Sequence, residues 1–68
     1  MKEDFGERLR RLREQKGLTQ TALATLAGTY SSDISYYEAG KTEPRAQTLH
    51  NLATVLGVSM DYLWKGAS

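Results

Sequence analysis

"GLTQTALATLAGTYSSDISYYEAGK", Gly17 to Lys41, carries most of the information about how this chain folds. Its first half reads easily. Thr19 is a hydroxyl residue where an N-cap is wanted, Ala22, Leu23 and Leu26 recur at helical spacing as a buried stripe, and Gly28 is a stop. The second half is unusual, being rich in hydroxyls, with adjacent tyrosines at 36 and 37 and Ile34 as its one large aliphatic side chain. Stepping about 100° per residue from Ile34 puts Tyr37 and Glu38 on the same side as Ile34. Ser32, Tyr36 and Ala39 then point the opposite way, flanked by Ser35 and Asp33. A strand is the competing reading, since Tyr, Ile and Ser tolerate extension, but "ISYY" has no period of two. The pattern predicts a helix ending at Gly40, with a polar flank to be explained.

The flanking sequence is helical too. Phe5, Leu9 and Leu12 recur at i, i+4 and i+7, and that helix ends before "KGL", where Lys16 suits its negative end. Beyond the turn "KTEP", Leu49, Leu52, Ala53 and Leu56 give the clearest helical period in the chain, closed by Gly57. Ser59 caps a last short helix, "MDYLWK", with Asp61 suited to its positive end. Five helices joined by short turns, in one domain over residues 1–68, predict an all-α, compact five-helix globule.

Composition sets the outer limits. Sixty-eight residues, no cysteine, one proline and a net charge of +1 leave a small core held by packing alone. The lack of cysteine fits a reducing, cytoplasmic setting. No apolar run approaches the ~18 residues of a membrane span, and the charged start "MKEDFGERLRRLREQKG" does not read as a secretory signal. Lys2, Arg8, Arg10, Arg11, Arg13 and Lys16 all precede Gly17, interleaved with Glu3, Asp4, Glu7 and Glu14. Mixed signs of this kind describe a solvated helix face with i,i+4 pairs such as Glu7 with Arg11, and charge alone says little about nucleic acid.

Two helices joined by a short turn around Gly28 match the helix-turn-helix pattern, over about residues 19–39. The marks "FGERLRRLRE", "GLTQ", the Ile34 and Glu38-x-Gly40-Lys41 run, Pro44 and "LATVLGVS" stand in order along the chain. Together they resemble the Cro/repressor-type helix-turn-helix family, the lambda-repressor-like DNA-binding domains, from about Phe5 to Leu63. The resemblance implies sequence-specific binding of double-stranded DNA in transcriptional control, most often as a repressor and as a homodimer on DNA.

It also assigns roles to residues. Ser31, Ser32 and Tyr36, with Tyr30 at the entry and Ser35 beside them, match the positions that touch base edges in the major groove. Thr19 and Gln20, at a helix N-terminus, match a phosphate contact, and Gln20 can also brace the next helix. Lys41, Thr42 and Arg45 match backbone contacts after the recognition helix, which give affinity but no sequence information. Arg13 and Glu38 match a structural salt bridge, expected to be at least partly buried. Two departures stand out. Tyr30 replaces the usual Ser or Thr cap, so Thr29 is a candidate cap that would move the helix start by one residue. Asp33 puts a carboxylate in the first turn, which either faces a phosphate and weakens binding or turns back onto the Tyr30 N–H.

The remaining candidates are weaker. His50 stands alone on the fourth helix with no second ligand at metal spacing, so no metal site and no cofactor are expected. No pattern sets a nucleophile beside a base, and no enzyme is expected. Met60, Tyr62 and Trp64 make the last helix rich in large apolar groups, which either close the core or form a weak dimer surface. A C-terminal oligomerisation domain lying outside this chain is a further expectation. A protein-interaction module on the same fold, antitoxin-like or antirepressor-binding, is the alternative function, since tyrosines are enriched at interfaces.

Overall fold

In the computed structural model, which describes residues 2–66, five helices follow one another: α1 (Phe5–Gln15), α2 (Gln20–Ala27), α3 (Ser31–Glu38), α4 (Ala46–Leu56) and α5 (Met60–Lys65). No strand occurs among the described residues. α3 packs against α1 and α2, α4 against α2, and α5 bridges α1 and α4. The centre is apolar and is drawn from all five helices, with Leu9, Leu23, Ile34, Leu52 and Leu63 fully buried. Each of these is worth roughly 1.5–3 kcal/mol of transfer free energy.

Local chemistry explains the helix starts. Asp4 and Glu7 form a reciprocal capping box on α1, with Glu7 N–H to Asp4 Oδ1 at 2.8 Å and Asp4 N–H to Glu7 Oε1 at 3.0 Å. Thr19 Oγ1 accepts from the Ala22 N–H on α2, and Ser59 Oγ from the Tyr62 N–H on α5, both at 3.0 Å. α3 starts at Ser31, with Tyr30 as its N-cap, so the helix is not shifted by a Thr29 cap. The Asp33 carboxylate does the capping instead. It accepts from the Tyr30 N–H at 3.3 Å and from the Thr29 hydroxyl, and so turns back toward its own chain.

Two expectations about packing need correction. Leu26 is not in the α2 stripe but 60% exposed, and the buried α2 residues are Leu23, Ala24 and Ala27. The α4 helix lies on the Ala24/Ala27 side, where small side chains allow close approach, and Asn51 Nδ2 ties it there by donating to the Ala27 carbonyl at 3.2 Å. Glu7 likewise does not pair with Arg11, because the capping box holds it at the helix start. Arg11 reaches Glu3 instead, with Nε to Oε2 at 2.7 Å and Nη2 to Oε1 at 3.0 Å, and donates to the Tyr62 hydroxyl at 2.8 Å. This pairing holds the Glu3 carboxyl below its usual range, chiefly through the Arg11 hydrogen bond.

Arg8, one of the supposedly solvated cations, is only 4% exposed. Its guanidinium donates to the Leu63 carbonyl at 3.2 Å and the Glu3 carbonyl at 2.8 Å. It thereby satisfies a carbonyl in the last turn of α5, where helix geometry leaves acceptors unpaired and a positive charge is favoured.

Candidate nucleic-acid interface

The turn between α2 and α3 is three residues, Gly28, Thr29 and Tyr30. Gly28 adopts φ +74°, a left-handed conformation that β-carbons disfavour, and this lets the Thr29 N–H reach back to the Ala24 carbonyl at 2.9 Å. The chain then extends through Tyr30 and immediately enters α3. The end of α3 repeats the device. Gly40 takes φ +75° and the Lys41 N–H bonds the Tyr36 carbonyl at 2.9 Å, which fixes the start of the Lys41–Arg45 segment.

Ile34 is fully buried and Tyr37 is 9% exposed, so these two side chains clamp α3 onto the core. Burial pushes the Tyr37 phenol up from its usual value, reinforced by the Asp33 carboxylate and opposed by Arg45. The opposite flank is bare. Ser31, Ser32, Ser35, Tyr36 and Ala39 are all exposed, as is Tyr30 at the helix entry. On a helix of about 100° per residue, Ser31, Ser35, Ala39, Ser32 and Tyr36 form one strip roughly 140° wide. Among the side chains of the strip none is charged.

The strip is held at a fixed height by a three-residue network. Arg13 Nε and Nη2 grip Glu38 Oε2 and Oε1 at 2.7 and 3.1 Å, and Arg13 Nη1 donates to the Leu18 carbonyl at 2.8 Å. The pair is largely out of solvent, with side chains 11% and 6% exposed. The Glu38 hydrogen bond raises the Arg13 pKa against the opposing effect of burial. Gln20 Nε2 donates to Glu38 Oε1 at 3.2 Å, so the first residue of α2 is tied to the last residue of α3. One amide hydrogen and the carbonyl oxygen of Gln20 remain beyond that bond. Thr19 spends its oxygen on the α2 cap and is exposed.

Lys41 and Thr42 are exposed. Arg45, also exposed, is the N-cap of α4 without a side-chain cap bond, and with Tyr30, Asp33 and Tyr37 it borders an open hollow. The predicted residues thus fall into one contiguous group around α3 and a second, cationic one after it. The last helix is divided. Met60 and Tyr62 pack against the core, and Trp64, 37% exposed, rests on Phe5 with ring centroids 5.0 Å apart. His50 is exposed.

Sequence reasoning missed Gly6. A β-carbon there would stand 2.6 Å from the Tyr37 carbonyl oxygen and 2.7 Å from that of Glu38. The start of α1 therefore meets the last turn of α3 backbone to backbone. A glycine two residues past the Asp4 cap and before the periodic leucines was the only signal for it.

A short helix, a left-handed glycine turn and a second helix clamped by its aliphatic face make a helix-turn-helix corner on a five-helix body. The chain belongs to the helix-turn-helix domain family, whose family model matches residues 4–63. It is 45% identical over 62 residues to YonR of Bacillus subtilis (strain 168), an SPbeta prophage-derived uncharacterized HTH-type transcriptional regulator. That match takes in 91% of this chain but 57% of YonR, so the chain spans little more than half of this relative. In structure it is similar to the P22 c2 repressor in complex with synthetic operator 9T, with a TM-score of 0.94 and 36% identity over 97% of this chain and 100% of that one. It is also similar to a chain of the SinR/SinI protein complex, with a TM-score of 0.84 and 34% identity over 90% of this chain and 60% of that one. The fold is that of the lambda-repressor-like domains.

Proposed function

We propose that this chain binds double-stranded DNA in a sequence-dependent manner and acts as a transcriptional regulator, a repressor that reads operator half-sites through the major groove. The observation that carries this reading is the bare strip of α3, opposite the Ile34–Tyr37 anchor, on a backbone similar to that of a repressor in complex with an operator. Ser31, Ser32, Ser35, Tyr36 and Tyr30 are the base-facing set. Thr19, Gln20, Lys41, Thr42 and Arg45 are the phosphate-facing set, where cations and N–H donors supply sequence-independent affinity. Glu38 keeps Gln20 in place between two tasks, bracing α3 with one amide hydrogen and leaving the other for a phosphate oxygen.

One strip of five side chains covers only a few base pairs. Selectivity therefore calls for two copies of the chain on half-sites about one helical turn, ~34 Å, apart. The last helix, through Trp64, or a segment outside this chain would supply the contact between copies. No catalytic role and no cofactor is assigned, and a ligand of this kind places the protein in the cytoplasm with the DNA. No helix among the described residues is long and apolar enough to cross a membrane.

Selection of bound duplexes from a random pool, followed by a salt titration, is the test. A selected palindrome whose binding falls steeply between ~50 and 200 mM salt supports the proposal. Failure to select any duplex, or binding indifferent to salt, refutes it. A protein-docking role is the second reading, favoured by Leu26 and Tyr30, which are 60% and 76% exposed at the end of α2 and the entry to α3. That reading gains if duplex binding is absent.

A further inference from the structure

The strip of α3 lacks what it would need to read a purine by paired hydrogen bonds. Its members are Ser31, Ser32, Ser35, Tyr36 and Ala39, with Tyr30 at the entry, and none carries an amide or a guanidinium. A guanidinium or amide is what matches guanine O6/N7 or adenine N6/N7 with two parallel bonds. Asp33, the one charged side chain of the first turn, is committed to Thr29 and the Tyr30 N–H. Both bonds fall on Oδ2 and turn the carboxylate back toward Thr29, outside the exposed strip. Serine hydroxyls remain, but each both donates and accepts, and so tolerates most base edges.

One group on the strip discriminates by a different chemistry. Tyr36 is 49% exposed and stands one helical turn after Ser32 on the same face, so it is the one large side chain among short ones there. The neighbouring strip residues, serine and alanine, keep the surrounding surface low. An aromatic ring raised above such a surface meets the major-groove floor with a face that is apolar. The apolar landmark on that floor is the thymine 5-methyl group.

We infer that Tyr36 is a specificity-determining residue that recognises thymine methyl groups, so that the half-site bound by this chain is marked by thymines and not by a bidentate guanine contact. The inference rests on the DNA-binding reading above and narrows its ligand to a class of duplex. Hydroxyl contacts from Ser31, Ser32 and Ser35 then fix the distance of the helix from the base pairs and carry little discrimination of their own.

The test replaces thymine by deoxyuridine, one position at a time, in the duplex selected from the random pool. Binding is measured by fluorescence anisotropy at fixed salt. Loss of one buried methyl group predicts roughly fourfold weaker binding at the thymine facing Tyr36. In Tyr36→Ala the same replacement should change binding less than about 1.5-fold, and in Tyr36→Phe the roughly fourfold penalty should persist because the ring is kept. Circular dichroism of both variants should match the parent, since the side chain is exposed and outside the core. Equal binding of thymine and deoxyuridine duplexes by the parent chain would overturn the inference while leaving DNA binding intact. A penalty undiminished in Tyr36→Ala would overturn it as well, by assigning the methyl contact elsewhere. Failure to bind any duplex would overturn the DNA-binding reading and the inference together.

Discussion

Replacing Glu38 by Gln probes the network that sets the height of α3. The substitution keeps the shape and removes the charge. The Arg13 guanidinium then lies 11% exposed without its hydrogen-bonded carboxylate, and the new amide nitrogen confronts donors from Arg13 or Gln20, whichever way it is turned. Removing one partner of a buried pair costs about 3–5 kcal/mol, because a desolvated charge is left unmatched. Here the lower end applies, since an open hollow lined by Arg10, Arg13, Gln20 and Ser35 lets water reach one edge of the pair. A domain of this size has a total stability of roughly 3–10 kcal/mol. A loss of about 3 kcal/mol should therefore lower Tm by at least ~12 °C and leave the variant close to unfolding. Urea unfolding followed by circular dichroism measures the change. Glu14→Gln is the control, since the Arg10–Glu14 pair is 64% and 55% exposed and should contribute little. Equal losses from the two substitutions would show that the Arg13–Glu38 pair is solvated and that α3 is held by Ile34 and Tyr37 alone.

Three further outcomes are expected. Gly6→Ala should destabilise the domain by more than ~3 kcal/mol, or prevent folding, because its methyl group would strike two backbone carbonyls that only a shift of α1 from α3 could relieve; thermal melts decide it. Tyr37→Phe should leave stability at neutral pH nearly unchanged and remove part of the alkaline loss. The Tyr37 pKa is raised in the folded state, so its contribution is fully present below the ordinary tyrosine pKa and is lost as pH rises through the raised value; unfolding curves on both sides of pH 10 check the sign. Lys41→Ala should weaken binding to all duplexes alike and flatten the slope of log K against log salt by about one, whereas a change confined to the best site would make Lys41 a base contact.

The parts of the molecule legible in the sequence are those governed by local rules. Thr19 and Ser59 cap helices because a hydroxyl can reach an N–H two or three residues on, whatever surrounds it. The absence of alternation in "ISYY" and the position of Ile34 likewise determine which flank of α3 is buried, because helical period follows from backbone geometry. Order and spacing of the family's marks supplied the fold class. What the one-dimensional pattern could not reveal depends on which helix lies alongside which. Leu26 and Ala27 are equivalent by period, and only the approach of α4 over the small side chains Ala24 and Ala27 leaves the leucine in water. Arg8, Arg10 and Arg11 look alike in the sequence. The last turn of α5 comes to rest over Arg8 and makes it a buried cap, Tyr62 and Glu3 claim Arg11, and Arg10 stays in solvent. Gly6 carries no helical signal at all, since its role is to leave room for a backbone more than thirty residues away. Helix positions and the outward flank of α3 thus follow from local rules, whereas which cations are structural follows from how the helices pack, because burial and pairing are properties of neighbours that sequence distance does not encode.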